Sequence, residues 1–230
     1  MAAASENGFP DVSEEFLSHG LTQTLKALKD EGTPERMAEH YDVTTKNVGH
    51  SFLSLEPNDP ERITATDLFA VRLLSVRTPA NMVRRILDTE ELSTNISDKL
   101  GALPAVRLED TTPTDFNKME EFYIAVRTGL TGNKSSRMMA TSSKLVARKR
   151  PDLFPIRDSV VCAYLDRKKQ RDYREDWLLF RHILRDTQVQ ELLAALLEKI
   201  RKIPSKNEVV LDTEPLRLLD VALWTYAKQS

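Results

Sequence analysis

The sequence predicts an all-α protein, a compact bundle-like fold, and three observations carry that expectation. Apolar residues recur at steps of three and four through most of the chain, the spacing that lines one helix face. Ser, Thr or Asp stands at the head of several of these runs, where a side-chain oxygen can satisfy the free N–H groups of a first turn. Seven glycines among 230 residues, with few β-branched runs, leave little material for a sheet.

In chain order, residues 1–12 read as a flexible leader and 13–230 as a single all-helical domain without a Gly/Ser linker or a repeat. Ser13 caps a helix to residue 30, with Leu17, Leu21, Leu25 and Leu28 on one face; Glu31-Gly32 closes it near Pro34. The stretch to residue 60 holds Tyr41, Phe52 and Leu53 but is otherwise polar, without strand alternation. Thr64, with Asp67 three residues on, opens the run Leu68, Val71, Leu74 as a variant capping box. Pro79 fits the first turn of the next helix, through Val83, Ile86 and Leu87, and a short helix covers 90–100. Asp115 is expected to cap Phe116–Arg127, which stops at Gly129 before a turn to Gly132. A basic helix over about 135–149 ends at Arg150-Pro151, because proline disfavours helical geometry in the residue before it. After the tight connection Asp152–Pro155, helices cover 159–170, 173–186 and 187–202. A polar loop at Pro204–Asn207 and the run Val209-Val210-Leu211 lead to a last helix over 214–227. That helix is expected to be buried through Leu218, Leu219, Val221, Ala222 and Trp224.

Composition narrows the classes of function. Apolar residues at 40% and charged residues at 30% are the mix of a globular protein, long enough for one core or for two lobes about a cleft. One cysteine excludes an internal disulfide, and Cys162, within Val160-Val161-Cys162-Ala163, reads as a small buried side chain. With four histidines and that one thiol, no metal site and no cofactor are expected. No run reaches membrane-spanning length and the N-terminus is acidic and polar, so the expected address is the cytoplasm. A net charge of −2 hides an asymmetry: Lys134–Arg174 holds twelve Lys or Arg against four Asp. Such a segment can meet a polyanion, or can simply be a solvated surface.

Within it, residues 137, 141, 144 and 148 share a helix face, so Arg137, Lys144 and Arg148 form a basic stripe beside Thr141. Met138, Met139, Leu145 and Val146 lie mainly on the other side, as a seam to the core. Asp158 follows Pro155-Ile156-Arg157 and heads an apolar run. It is either a plain N-cap or a charged group at the mouth of a cleft.

The stretch SSKLVARKRPDLFPIRDSVV (142–161) resembles an actinobacterial all-helical family of unknown function, as do Ile63–Leu68 and Leu218–Trp224. The resemblance runs from about residue 35 to the C-terminus and implies an all-helical fold. More distantly, 142–161 resembles the helix-hairpin-helix DNA glycosylase superfamily, in which a two-glycine hairpin grips a phosphate and an aspartate heading the next helix supports departure of a base. That resemblance implies two helical lobes about a cleft, with Asp158 as the catalytic carboxylate. The hairpin glycines would fall near Ser136 and Met138, so the hairpin is degenerate, and a side chain there blocks the backbone approach a phosphate needs. The lysine of the lyase-type members would fall at or beside Ala140, and Lys144, one turn on, is not its equivalent.

These readings give a first hypothesis: monofunctional hydrolysis of an N-glycosidic bond in a nucleic acid or a nucleotide. Asp158 would stabilise the developing sugar cation and orient a water, while Arg137, Lys144, Arg148 and Arg157 bind phosphates. Tyr41, Phe52 and Trp177 are stacking candidates that fit a core equally well. The alternatives are a non-catalytic nucleic-acid-binding or regulatory protein and a helical protein-interaction domain. Partners expected are DNA or another phosphate-bearing ligand, and no membrane, with the oligomeric state open.

Overall fold

The computed structural model describes residues 8–44, 49–132, 138–166, 172–203 and 211–229, and they hold twelve α-helices, one 3-10 turn and no β-strand. Helix α1 spans Glu14–Lys29, and the Ser13 hydroxyl accepts the Phe16 N–H at 3.2 Å as its cap. The stretch read as polar carries a helix, α2 (Thr33–Tyr41), with Pro34 in its first turn. Its buried Pro34, Met37, Ala38 and Tyr41 follow helical spacing within a mostly polar run, which is how the sequence reading missed it. A single turn, α3 (Ser51–Ser54), precedes α4 (Ala65–Leu73). Helices α5 (Ala80–Asp88) and α6 (Glu90–Gly101) fall where expected.

The longest helix, α7 (Pro113–Thr131), differs at both ends from the expectation. Thr112, not Asp115, is its cap: the Asp115 carboxylate accepts the Thr112 N–H at 2.8 Å and the Thr112 hydroxyl accepts the Asp115 N–H at 3.3 Å. Gly129 does not stop it. A Cβ there would lie 3.3 Å from Ile96 and Leu92 side-chain atoms, so this glycine lets α6 approach. The stop comes at Gly132, whose φ of +71° lets its N–H return to the Thr128 carbonyl at 2.7 Å.

Helix α8 (Met139–Lys149) is the basic helix; 135–137 lie outside the described residues. Next come α9 (Ser159–Tyr164), shorter than expected, then α10 (Tyr173–Arg185), α11 (Thr187–Lys202) and α12 (Pro215–Ala227). The expected loop at 204–207 and most of the 209–211 run fall outside the described residues. From residue 8 on, the leader makes contacts with the helices. Phe9 meets Phe116 edge to face at 5.0 Å, Arg181 lies over the Phe9 ring and Pro10 is buried.

The buried apolar side chains form one continuous cluster. Helix α7 packs on α5, α6 and α8, α10 on α1, and α12 on α2 and α9. At the centre Trp177 takes Phe116, Tyr123 and Phe154 edge to face, at 5.9, 5.7 and 5.4 Å. Cys162 is buried, as its apolar neighbours predict. No described helix is long and apolar enough to cross a membrane.

What fixes α8 is electrostatic. Asp67 in α4 is wholly buried and accepts the Arg148 Nε–H at 3.2 Å and the Lys149 ammonium at 3.0 Å, besides the Thr64 N–H at 2.8 Å. The Arg148 guanidinium also donates to the carbonyls of Phe52, Leu53 and Leu55, and Lys149 to Asn58 Oδ1 and the Asp59 carbonyl. Two cations thus share one carboxylate in the interior, and backbone carbonyls with the Asn58 side-chain amide supply the rest of their solvation. Removing the carboxylate leaves both cations buried. Asp67→Ala should therefore cost about 3–5 kcal/mol in urea melts. Asp88→Ala, at the exposed Arg84–Asp88 pair, should cost a small fraction of that. Equal losses would mean that Asp67 is not the anchor of α8.

Candidate functional site

A cavity of about 330 Å³ lies where the ends of α3 and α4, the middle of α8, the head of α9 and one face of α12 meet. Its polar lining includes Lys144, Asp158, Asp212, Arg217, Asp220 and His40; its apolar lining includes Phe52, Leu74, Ile156, Val161 and Trp224. Volume and mixed lining suit a small organic ligand.

Asp158 is built as the sequence suggested, on a helix head after a proline turn. Its Oδ1 accepts the Val160 N–H at 2.9 Å, and its Oδ2 lies 3.6 Å from Lys144 Nζ. One oxygen thus caps α9 and the other faces a buried ammonium. Lys144, 5% exposed, also donates to the Leu74 carbonyl at 2.7 Å. Burial pulls its ammonium below the usual lysine range, and Asp158 opposes that shift. The Leu74 carbonyl is presented by the end of α4, where Ser75 turns the chain with a φ of +61°.

The opposite wall comes from α12. Arg217, in its first turn, donates to the Phe154 carbonyl at 2.9 Å and pairs with Asp220, which accepts the Ile156 N–H at 3.1 Å. The pair thus holds the segment that leads into Asp158. Tyr41 donates its hydroxyl to Asp212 at 3.0 Å, and burial raises the pKa of both groups. His40 meets Tyr41 and Trp224 edge to face, at 5.0 and 5.6 Å. Lys228 sits over the Trp224 ring at 4.4 Å.

The expected basic stripe is corrected. Thr141 through Lys149 are all buried, so α8 beyond its first two residues presents no face to solvent. Arg148 is fully buried and engaged with Asp67 and three carbonyls, which leaves it nothing to offer a phosphate. Arg157 pairs with Asp176 and is not part of the cavity wall. Arg137 lies outside the described residues. Of the three predicted phosphate ligands that are described, only Lys144 meets Asp158. Trp177 and Tyr41 are core residues, whereas Phe52 lines the cavity.

His40, Asp212, Arg217, Asp220 and Trp224 were missed. Two carried a readable signal: Arg217 and Asp220 are charged residues three apart inside an otherwise apolar helix. Val221 and Trp224, expected to be core, are only partly buried because they line the cavity. A second hollow of about 440 Å³, between α1 and α10, is lined by Leu17, Arg181 and Arg185 among others and contains none of these groups. Among the described residues no group of three or more His, Cys, Asp or Glu is placed to hold a metal ion.

The model of a family described as a family of unknown function (DUF6308) matches residues 35–227, and the chain belongs to that family. The match takes in every cavity residue except Lys228. No curated protein and no solved structure matches the chain.

Burial, with smaller contributions from His50 and Lys228, pulls the His40 pKa down from 6.5 to about 4. The unfolded chain therefore takes up this proton at higher pH than the fold does. Stability from neutral His40 is whole above pH 6.5 and is lost as pH falls towards 4. The loss amounts to about 3 kcal/mol at most. In urea melts at pH 7 and pH 4, wild type should lose about 2–3 kcal/mol relative to His40→Gln. An unchanged gap would show that the fold accepts a charged His40 freely.

Proposed function

We propose that this member of a family of unknown function hydrolyses the N-glycosidic bond of a free nucleoside or nucleotide, with Asp158 as the catalytic carboxylate. The observation that carries the reading is the position of Asp158: it lines a cavity, anchored by one oxygen and held beside Lys144 by the other. As the bond from the anomeric carbon to the base nitrogen breaks, its electron pair leaves with the base and the sugar becomes cationic. A carboxylate there stabilises that charge, and it accepts a proton from the water that attacks the anomeric carbon. The proton then passes to the departing base or to solvent. The partly exposed Trp224 ring offers a surface on which a base can stack.

The distant glycosylase resemblance suggested DNA as the substrate. The burial of Arg148 and the pairing of Arg157 with Asp176 weaken the phosphate-binding set and favour a substrate small enough to enter the cavity whole. A degenerate hairpin points the same way, because Met138 stands where the resemblance requires a glycine.

Asp158→Asn separates charge from cap, since asparagine caps helices well. Wild type and variant are incubated with nucleosides, nucleotides and single- and double-stranded DNA, and released base is followed by mass spectrometry. Wild type should release base from a free nucleoside or nucleotide, and the variant should do so about 10²–10⁴-fold more slowly. Equal rates in both proteins would remove Asp158 from the mechanism. Saturable binding without release would identify a non-catalytic binder instead.

A further inference from the structure

Lys144 has a use that glycoside hydrolysis does not require. We propose that Lys144 is a nucleophilic amine that captures a small aldehyde or ketone in the cavity as an imine, with Asp158 as its proton carrier.

The geometry is that of a held, desolvated amine. Lys144 is 5% exposed yet lines the cavity. Its Nζ is fixed by the Leu74 carbonyl at 2.7 Å and by Asp158 Oδ2 at 3.6 Å. A neutral amine has two N–H bonds and a lone pair: one N–H serves the Leu74 carbonyl, and the lone pair takes a remaining tetrahedral direction with the Asp158 carboxylate alongside. Burial favours that neutral form. A lysine needed only as a counter-charge gains nothing from losing solvent, whereas a nucleophilic lysine gains its reactive state. Arg148, one turn on, shows the contrast: it is buried deeper and is held by the Asp67 carboxylate and three carbonyls, with no place in the cavity wall.

The step balances without a further reagent. Nζ attacks the carbonyl carbon, a C–N bond forms as the C=O π bond breaks, and the first Nζ proton passes by way of Asp158 to the oxygen to give a carbinolamine. Asp158 then accepts the second Nζ proton and delivers it to the hydroxyl, which leaves as water as the C–O bond breaks and the C=N bond forms. The product is an imine, and one water is released for each carbonyl consumed. The apolar wall of Leu74, Ile156, Val161 and Trp224 disfavours a charged ligand body, so the carbonyl compound is small and largely apolar or aromatic.

The probe is propanal with cyanoborohydride at pH 7, limited to less than one label per molecule, with sites read by peptide mass spectrometry. Lys144 should label at least tenfold faster than the exposed Lys26, Lys118 and Lys199. Its labelling should also reach half its maximal rate at lower pH than theirs. In concentrated urea the four rates should converge, and Lys144→Arg should abolish the fast site. Labelling of native Lys144 no faster than the surface lysines would overturn the proposal. No glycoside is present, so this outcome and the base-release outcome stand or fall separately.

Discussion

The buried carboxylate of Asp67 is the constraint on which the rest of the arrangement depends. A lone carboxylate in the interior is untenable, and so is a lone guanidinium; together they are tolerated only when every remaining donor finds an acceptor. Arg148 and Lys149 meet that condition by drawing in the backbone carbonyls of Phe52, Leu53, Leu55 and Asp59. Helix α4, the end of α8 and the 52–59 segment are therefore locked in one register. A hydrophobic contact of equal area would permit α8 to rotate or slide by a fraction of a turn; a three-way charge contact does not. Lys144 lies one turn before Arg148 on the same face, so holding Arg148 inward also holds Lys144 inward. The anchor thereby places the ammonium that faces Asp158.

The second wall repeats the device from the C-terminal side. Arg217 and Asp220 reach from α12 to the Phe154 carbonyl and the Ile156 N–H, gripping the connection between α8 and α9 at both of its polar edges. From the other side, the Leu108 N–H donates to the Asp152 carbonyl at 3.0 Å and Arg150 pairs with Asp152. A segment with two prolines has few backbone donors of its own, so it is positioned by partners elsewhere in the fold. Asp158 emerges from it already aimed. The three segments singled out in the sequence, 63–68, 142–161 and 218–224, prove to be neighbours: anchor, site helix and clamp.

Much of the fold was legible because its signals are local. Ser13 and Asp158 cap where their side chains suggest, and α11 ends where its leucine face ends. The errors arise where a local sign has two physical meanings. Gly129 reads as a terminator by composition, yet it serves the approach of α6. Arg148 and Lys149 lie in a last turn, where the helix dipole alone accounts for them and solvent is the ordinary destination. Nothing within α8 reveals that a carboxylate 81 residues earlier and a row of carbonyls wait for them. Helical spacing identifies which residues share a face; whether that face meets water is decided by distant segments. The cavity was illegible for the same reason, since Asp212, Arg217 and His40 come from parts of the chain that carry no common pattern.

The charge arrangement of the cavity bears on what can enter it. Lys144 stands against Asp158, Arg217 against Asp220, and Lys228 over Trp224, while burial favours the protonated form of Asp212 and the neutral form of His40. The interior is close to balanced before any ligand arrives. A dianionic phosphate that reaches Lys144 or Arg217 has to break one of these pairs, leaving a carboxylate facing it at low dielectric, a cost of several kcal/mol. A neutral ligand with a planar ring and hydroxyl or carbonyl groups needs only to exchange water for the polar edges already present. Among substrates for the proposed hydrolysis this favours a nucleoside over a nucleotide. It also fits a neutral carbonyl compound at Lys144, because imine formation consumes no net charge and leaves Asp158 to accompany the nitrogen whether it is amine, iminium or ammonium.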